Sequence, residues 1–436
     1  MDSHFNYFYV RTFVFIVTVC VYCYLFYGIF SCEYLSDFTS FYASSVAARH
    51  GNNPYLSLVV KYSQLVRHTT ININPPIIYI LFYPLTFCSY TAALWIWMTT
   101  SLVMTLFGGW FAFRVAFSKD YLKKYWLGLF LVYLLLFHNL LDIFLNQLGG
   151  LIMLFISLGY YYYLKKSDYI AGLLWGFIIA LKLFPGLLFF FVLKENRKTV
   201  LATMLLTILC CFLLPLFVYG SKIYTQFFQV LTGVYWYHFS WNASLLGFLH
   251  AIFFWLDEVN WIAPTYIVLS LIYLIVYLWL IRPSKDDDVV NHQAFCLTLL
   301  LMIILSPLGW SYYFPLLLIP VALLWASCMN EQEPLSISAT IWLCSLFCLN
   351  YPLSRYADNK PMEYHGISTM IPINFIGLAI LFGLVAVSKP KLKSYSHVHF
   401  DDSKNKFVLF TALIIAFTFS VRSIGISIFL TKICGL

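Results

Sequence analysis

Apolar runs long enough to cross a bilayer follow one another from Phe8 almost to the end of the chain, separated only by short polar or charged clusters. A hydrocarbon core of about 30 Å takes about 20 helical residues to cross, and inside it each backbone N–H and C=O must be satisfied within a helix or a closed barrel. This pattern excludes a soluble globule. It predicts an all-α polytopic membrane protein with about twelve to fourteen membrane helices. Composition agrees, with 62% apolar and 10% charged residues against roughly 45–50% and 25% in soluble domains. The first run, Phe8 to Phe30, exceeds a signal-peptide core of about 7–15 residues and no small-residue cleavage pattern follows, so it is expected to stay as the first span.

The 26 Lys and Arg outnumber the 18 Asp and Glu, but they fall in clusters between apolar runs, which fits positive-inside topology and not a nucleic-acid partner. Clusters within 119–124, 165–166, 194–198, 282–288 and 389–406 are expected on the cytoplasmic side. Loops 138–150, 182–185, 220–241, 306–310 and 351–366 then face outward. The outward loops hold most of the Asn, Gln, His, Pro and Gly that a polar site needs, so chemistry is expected on the extracytoplasmic face of a cell (inner) membrane. Parity then requires an odd number of crossings between 71 and 117. A short Pro-rich helix from Asn74-Pro75-Pro76 to about Phe87, broken or re-entrant, meets that requirement. Most of the eleven cysteines lie inside apolar runs, where Cys acts as a small hydrophobe; Cys20-x-x-Cys23 is a poor redox or zinc candidate. No internal repeat is evident, which disfavours the repeat-built transporter folds.

Asp37 is the only acid between Glu33 and Asp120. It opens a polar-aromatic stretch whose Phe38, Tyr42, Ser45 and Arg49 fall near one helical face and Phe41, Val46 and Ala48 near another, the pattern of an interfacial helix. Lys182 stands alone in an apolar run, where a central charge costs about 2.5–3.5 kcal/mol on insertion, and Pro185 breaks the helix close behind it. Snorkelling to water and contact with a lipid-linked phosphate are both open to its ammonium. Asn146 and Gln147 suit sugar hydroxyls. Asp142 is either a second carboxylate of the site or the cap of the next helix. Asn242-Ala243-Ser244 and the aromatic break at Trp310, Tyr312 and Tyr313 complete the candidates; the latter is a belt or a platform for a sugar or polyprenyl chain. Phosphate-cradling loops, dinucleotide fingerprints, paired-His zinc motifs and nucleophile elbows do not occur in the sequence. Any glycosyl or phosphoryl donor must therefore arrive through the bilayer.

Read in order, these segments resemble glycosyltransferase family 87, polytopic enzymes of the GT-C fold that include polyprenyl-phosphate-mannose-dependent mannosyltransferases. The resemblance rests on Asp37-Phe38-Thr39-Ser40-Phe41-Tyr42-Ala43, Gly51-Asn52-Asn53-Pro54-Tyr55, Asn74-Pro75-Pro76-Ile77 with Tyr83-Pro84-Leu85, Asn146-Gln147, Ala171-Gly172-Leu173 with Lys182-Leu183-Phe184-Pro185, Asn242-Ala243-Ser244-Leu245-Leu246-Gly247, and Ser306-Pro307-Leu308-Gly309-Trp310-Ser311-Tyr312-Tyr313. It implies a GT-C-like catalytic core over 1–350, including a first outer loop at 31–70, followed by C-terminal membrane helices over 351–436 with a cytoplasmic loop at 388–406. It also implies inverting transfer of a hexose, most simply mannose, from a polyprenyl-phosphate-linked donor in the bilayer to a glycolipid or glycan acceptor. Asp37 would be the general base. Lys182, Arg49, His50, Tyr312 and Tyr313 would hold the donor phosphate, and Tyr42, Asn146, Gln147, Asn242 and Trp310 would contact substrate. Where the family pattern has two histidines this chain has Tyr312 and Tyr313, so either Arg49, Arg67 or His68 supplies the missing charge or the donor and acceptor differ from those of the family. No cofactor or nucleic acid is expected, while a divalent metal stays open through Asp142 or Glu33. A lipid-linked sugar flippase is the alternative from another class.

Overall fold

A computed structural model describes residues 3–31, 37–56, 71–234, 236–239, 241–256, 258–281, 290–328, 337–351, 372–388 and 406–419. Glu33, Arg67 and His68 lie outside them. The described residues are all-helical. Helices Tyr90–Ala116, Lys198–Tyr219 and Val259–Leu280 are each long and apolar enough to cross a membrane, and Lys119–Leu134 with Phe137–Leu145 makes a fourth if the pair, bent by 59°, counts as one. Helix Ser3–Ser31 has 29 residues, and the remaining shorter apolar helices among the described residues have 10–17. Prolines explain part of the shortening. The runs around Pro84, Pro185 and Pro315 pass into 3₁₀ turns at Tyr83–Phe87, Phe184–Leu187 and Ser311–Leu317, because proline lacks the N–H that an α-helical turn needs.

The chain divides into two compact units. One, spanning Ile29–Phe111 and Asp142–Trp236, contains Asp37. Here helix Asp37–Arg49 packs on the short helix Ile77–Phe82 and the turn Tyr83–Phe87. All of its residues from Phe38 to Ala48 are buried. The helix expected from sequence is present, yet it is enclosed all round, not exposed on one face. Helix Asp168–Leu181 packs between Gly149–Leu164 and Lys198–Tyr219. Small residues set that approach: a Cβ at Gly172 would lie 2.7 Å from the Val200 carbonyl oxygen, and one at Gly176 2.7 Å from that of Met204. Their four-residue spacing puts both glycines on one face, as membrane helices in close contact require. Arg197 closes the same hairpin, paired with Asp168 and lying 4.4 Å from the centre of the Tyr163 ring.

The other unit comprises Met1–Gly28, Ala112–Leu141 and Tyr237–Leu436. Helix His292–Ile304 is buried along its whole length. Its polar groups are met internally: Gln293 donates to the carbonyls of Val385 and Ala386 at 3.0 and 2.8 Å, and Thr298 meets the Tyr277 hydroxyl at 2.7 Å. Burial without such partners would cost about 1–3 kcal/mol for each group.

Candidate active site

Asp37 is the first residue of its helix, a position where the helix dipole favours a carboxylate. Gln147 donates its side-chain N–H to Asp37 Oδ2 at 2.6 Å, joining residues from separate parts of the unit. The loop that carries Gln147 is fixed by four features. Asn146 takes a left-handed backbone, φ 53°, which Asn tolerates better than most residues. The Trp97 indole N–H donates to the Asn146 carbonyl at 3.0 Å, and the Gln147 backbone N–H to the Asp142 carbonyl at 3.0 Å. The Asp142 carboxylate accepts the N–H groups of Gly149 and Gly150 at 2.9 and 3.1 Å. Of the two sequence readings of Asp142, the helix cap is realised. Gly150 has no room for a side chain, since a Cβ would lie 2.8 Å from the Ser101 carbonyl oxygen.

Lys182 ends helix Asp168–Leu181 in extended backbone, just before the turn that holds Pro185. The helix break expected there is present. The side chain is half-buried. The unit therefore brings Asp37 together with Gln147, on the loop whose following helix Asp142 caps. Buried Asn146 has a side-chain carbonyl with no hydrogen-bond partner among the described residues, an acceptor available to a ligand hydroxyl.

Arg49 and His50 are placed elsewhere. A helix of 13 residues sets Arg49 about 18 Å from Asp37 at 1.5 Å per residue. Arg49 donates to the carbonyl and hydroxyl oxygens of Thr86 at 2.8 and 3.2 Å and lies over the Phe87 ring. His50 is exposed, with Nδ1 2.8 Å from the Val46 carbonyl. Tyr42 gives its hydroxyl proton to the Cys88 carbonyl at 2.8 Å. Burial raises the pKa of that phenol, which keeps it a neutral donor. Arg49 and Tyr42 tie the helix to its neighbours, while His50 turns back on the helix itself.

Asn242, Trp310, Tyr312 and Tyr313 belong to the other unit. Asn242 donates to the carbonyls of Tyr237 and Pro307, both at 2.9 Å, and accepts from the N–H groups of Gly309 and Ser244 at 3.0 and 3.3 Å. Its amide is fully used in joining two loops, which also form an isolated β-bridge between Asn242 and Trp310. Ser244 then caps helix Leu245–Trp255 by accepting the Gly247 N–H at 3.2 Å. The Asn-x-Ser-x-x-Gly block thus has a structural explanation. Half-buried Trp310 stacks on Tyr312 with ring centres 6.1 Å apart, and Tyr312 and Tyr313 are buried. Sequence reasoning missed Trp97, whose hydrogen bond to a residue 49 positions away leaves no local signal.

The profile of glycosyltransferase family 87 matches residues 72–307, more than half of the 436 residues. Gln147, Lys182 and Asn242 fall inside the match; Asp37 and Trp310 fall outside it. Neither the curated proteins nor the solved structures yield a match. With an all-helical architecture, spanning-length apolar helices and this match, the chain belongs to glycosyltransferase family 87.

Proposed function

We propose that the chain moves a hexose, with mannose the first sugar to test, from a polyprenyl-phosphate donor to an extracytoplasmic glycolipid or glycan acceptor, on a GT-C fold and with inversion at the anomeric carbon. The observation that supports this reading best is the 2.6 Å hydrogen bond from Gln147 to Asp37. It ties a carboxylate at a helix start to a loop of the family-matched region. A general base needs this kind of fixed orientation more than it needs an unusual pKa.

In the reaction the acceptor hydroxyl oxygen forms its bond to the anomeric carbon as the bond from that carbon to the phosphate oxygen breaks. The proton goes to Asp37, and the electron pair leaves with the polyprenyl phosphate. Lys182 is the cation assigned to that leaving group, since charge developing on a departing phosphate is best met by a preorganised cation. Trp310 on Tyr312 offers an aromatic face for a sugar or an isoprenoid chain. The transfer is taken to run without a divalent metal, so EDTA leaves the rate unchanged; loss of activity restored by Mg²⁺ or Mn²⁺ would reverse that part.

The test is transfer of labelled mannose from polyprenyl-phosphate-mannose in membranes containing wild type or Asp37→Asn at equal protein level. The variant is expected to lose activity by about a hundredfold or more, the upper part of the range for general-base removal. Undiminished transfer would remove Asp37 from the chemistry. Donor flipping without any transfer would favour the flippase.

A further inference from the structure

Two turns of the unit that contains Asp37 carry five cations and two carboxylates between them: Lys165, Lys166 and Asp168 in one, Lys194, Glu195, Arg197 and Lys198 in the other. The two turns share one backbone design. After helix Gly149–Leu164 the N–H of Ser167 reaches the Tyr162 carbonyl at 3.0 Å and that of Lys166 the Tyr163 carbonyl at 3.1 Å. After helix Leu188–Lys194 the N–H groups of Arg197 and Asn196 reach the carbonyls of Val192 and Leu193, both at 3.2 Å. Lys166 and Asn196 take left-handed backbone, φ 57° and 53°, so each helix ends in a Schellman motif. Arg197 locks one turn to the other, paired with Asp168 and donating to the Tyr163 carbonyl at 3.4 Å.

That pairing spends Arg197 and Asp168 on each other and leaves four lysines against Glu195. Lys165, Lys166, Lys194 and Lys198 are all exposed. Helix electrostatics account for Lys165 and Lys194, which stand at C-terminal helix ends where the dipole favours a cation. They do not account for Lys198, which opens helix Lys198–Tyr219, where the dipole opposes one. Directly beyond the turns the exposed side chains are apolar: Tyr169 is 73% exposed, Leu193 55% and Ile170 44%. Cations that border exposed aromatic and aliphatic side chains, at the foot of a helix long enough to span, complement an amphiphile with a negatively charged head. A free phosphate would match the cations alone.

We infer that these two turns form a docking surface for the headgroup of an anionic phospholipid of the cytoplasmic leaflet, with Lys165, Lys194 and Lys198 meeting the phosphate and Tyr169, Ile170 and Leu193 bordering the acyl chains. The surface lies on the side that positive-inside bias makes cytoplasmic. In the proposed topology this is the side opposite Asp37, so the occupant is a bulk membrane lipid and not the sugar donor. The inference goes beyond glycosyl transfer and needs neither the donor nor the base assigned above.

The experiment is native mass spectrometry of the purified full chain in detergent, titrated with phosphatidylglycerol or with phosphatidylcholine of the same acyl chains, and with glycerol 1-phosphate as the soluble arm. Wild type is expected to bind phosphatidylglycerol at least about tenfold more tightly than phosphatidylcholine, since each lysine at an anionic surface is worth about fivefold. Lys165→Gln/Lys194→Gln/Lys198→Gln is expected to bring the preference down to about threefold or less. Lys165→Arg/Lys194→Arg/Lys198→Arg, which keeps the charge, is expected to retain it. Lys119→Gln/Lys123→Gln/Lys124→Gln, in an exposed cluster of the other unit, is expected to retain it as well. Melting curves establish folding, and Lys198→Gln alone, expected to lower the preference about fivefold, gives a second reading should the triple variant melt early. An unchanged preference in the folded variants of the two turns overturns the inference, as does the absence of any preference in wild type. An equal loss from the Lys119 cluster also overturns it, because the effect would then be one of net charge. Glycerol 1-phosphate binding as tightly as phosphatidylglycerol would overturn the lipid as the ligand. Sugar transfer is a separate readout, so each of these outcomes leaves the assignment of Asp37 where it stands.

Discussion

Gln147 donates to Asp37 at 2.6 Å from a loop held by Asp142 and Trp97, so changing Gln147 tests the orientation of the base without removing it. Gln147→Leu is expected to lower kcat by about ten- to a hundredfold, the scale of a small misplacement of reacting groups, with little change in donor KM. Steady-state transfer assays with donor and acceptor varied separately provide the check, and an unchanged kcat would show that Asp37 needs no such support. Asn242 calls for a different measurement. Its side chain makes four hydrogen bonds to backbone groups, so Asn242→Ala is expected to destabilise the fold by about 3 kcal/mol through buried groups left unpaired, seen as a lower melting temperature in detergent. The sequence marks both residues as polar breaks in apolar surroundings and suggests sugar contacts for both. It does not reveal that one reaches Asp37 while the other is spent on carbonyls and amides, because those partners lie 110 and up to 67 positions away.

Helix packing around Asp168–Leu181 depends on glycine. A side chain at Gly176 would meet Met204 backbone, whereas a Cβ at Gly383, in helix Ile373–Ser388, would meet nothing within 4 Å. Gly176→Leu is expected to cost about 1–3 kcal/mol by overpacking and to displace Lys182, which ends the same helix, so that melting temperature and transfer rate fall together. Gly383→Ala is expected to be neutral or stabilising by about 0.5–1 kcal/mol, since alanine loses less backbone freedom in a helix. Thermal melting of the two variants side by side gives the contrast; equal melting would mean that the two helices can part at no cost. Local signals at this scale are legible wherever covalent geometry decides. Pro185 ends its helix beside Lys182, Asp142 caps the next helix, and the Pro-rich segment after Asn74 gives only a six-residue α-helix and a 3₁₀ turn. Burial of helix Asp37–Arg49 on all sides is not legible, because its Ser, Thr and Ala content reads as a surface and only the packed neighbours turn it inward.

Across the membrane, the orientation of Asp37 turns on how often the chain crosses between the turn at Gly51 and the helix that starts at Lys119. Among the described residues in that interval, helix Ile77–Phe82 is about 9 Å long at 1.5 Å per residue, too short for a hydrocarbon core of about 30 Å. Helix Tyr90–Ala116, with 27 residues, reaches about 40 Å. Among the described residues a single crossing therefore lies in this interval, and on the proposed topology it leaves Arg114, Lys119, Lys123 and Lys124 on the side that positive-inside bias makes cytoplasmic. Asn52 and Lys119 are both exposed and serve as reporters. With the eleven native cysteines replaced, a membrane-impermeant thiol reagent is expected to label Asn52→Cys in intact cells and Lys119→Cys only after permeabilisation. Labelling of both from one side would require an even number of crossings and would break the link between outward Asp37 and cytoplasmic lysines. Labelling from opposite sides but in the reverse order would put Asp37 in the cytoplasm, where an extracytoplasmic acceptor could not reach it.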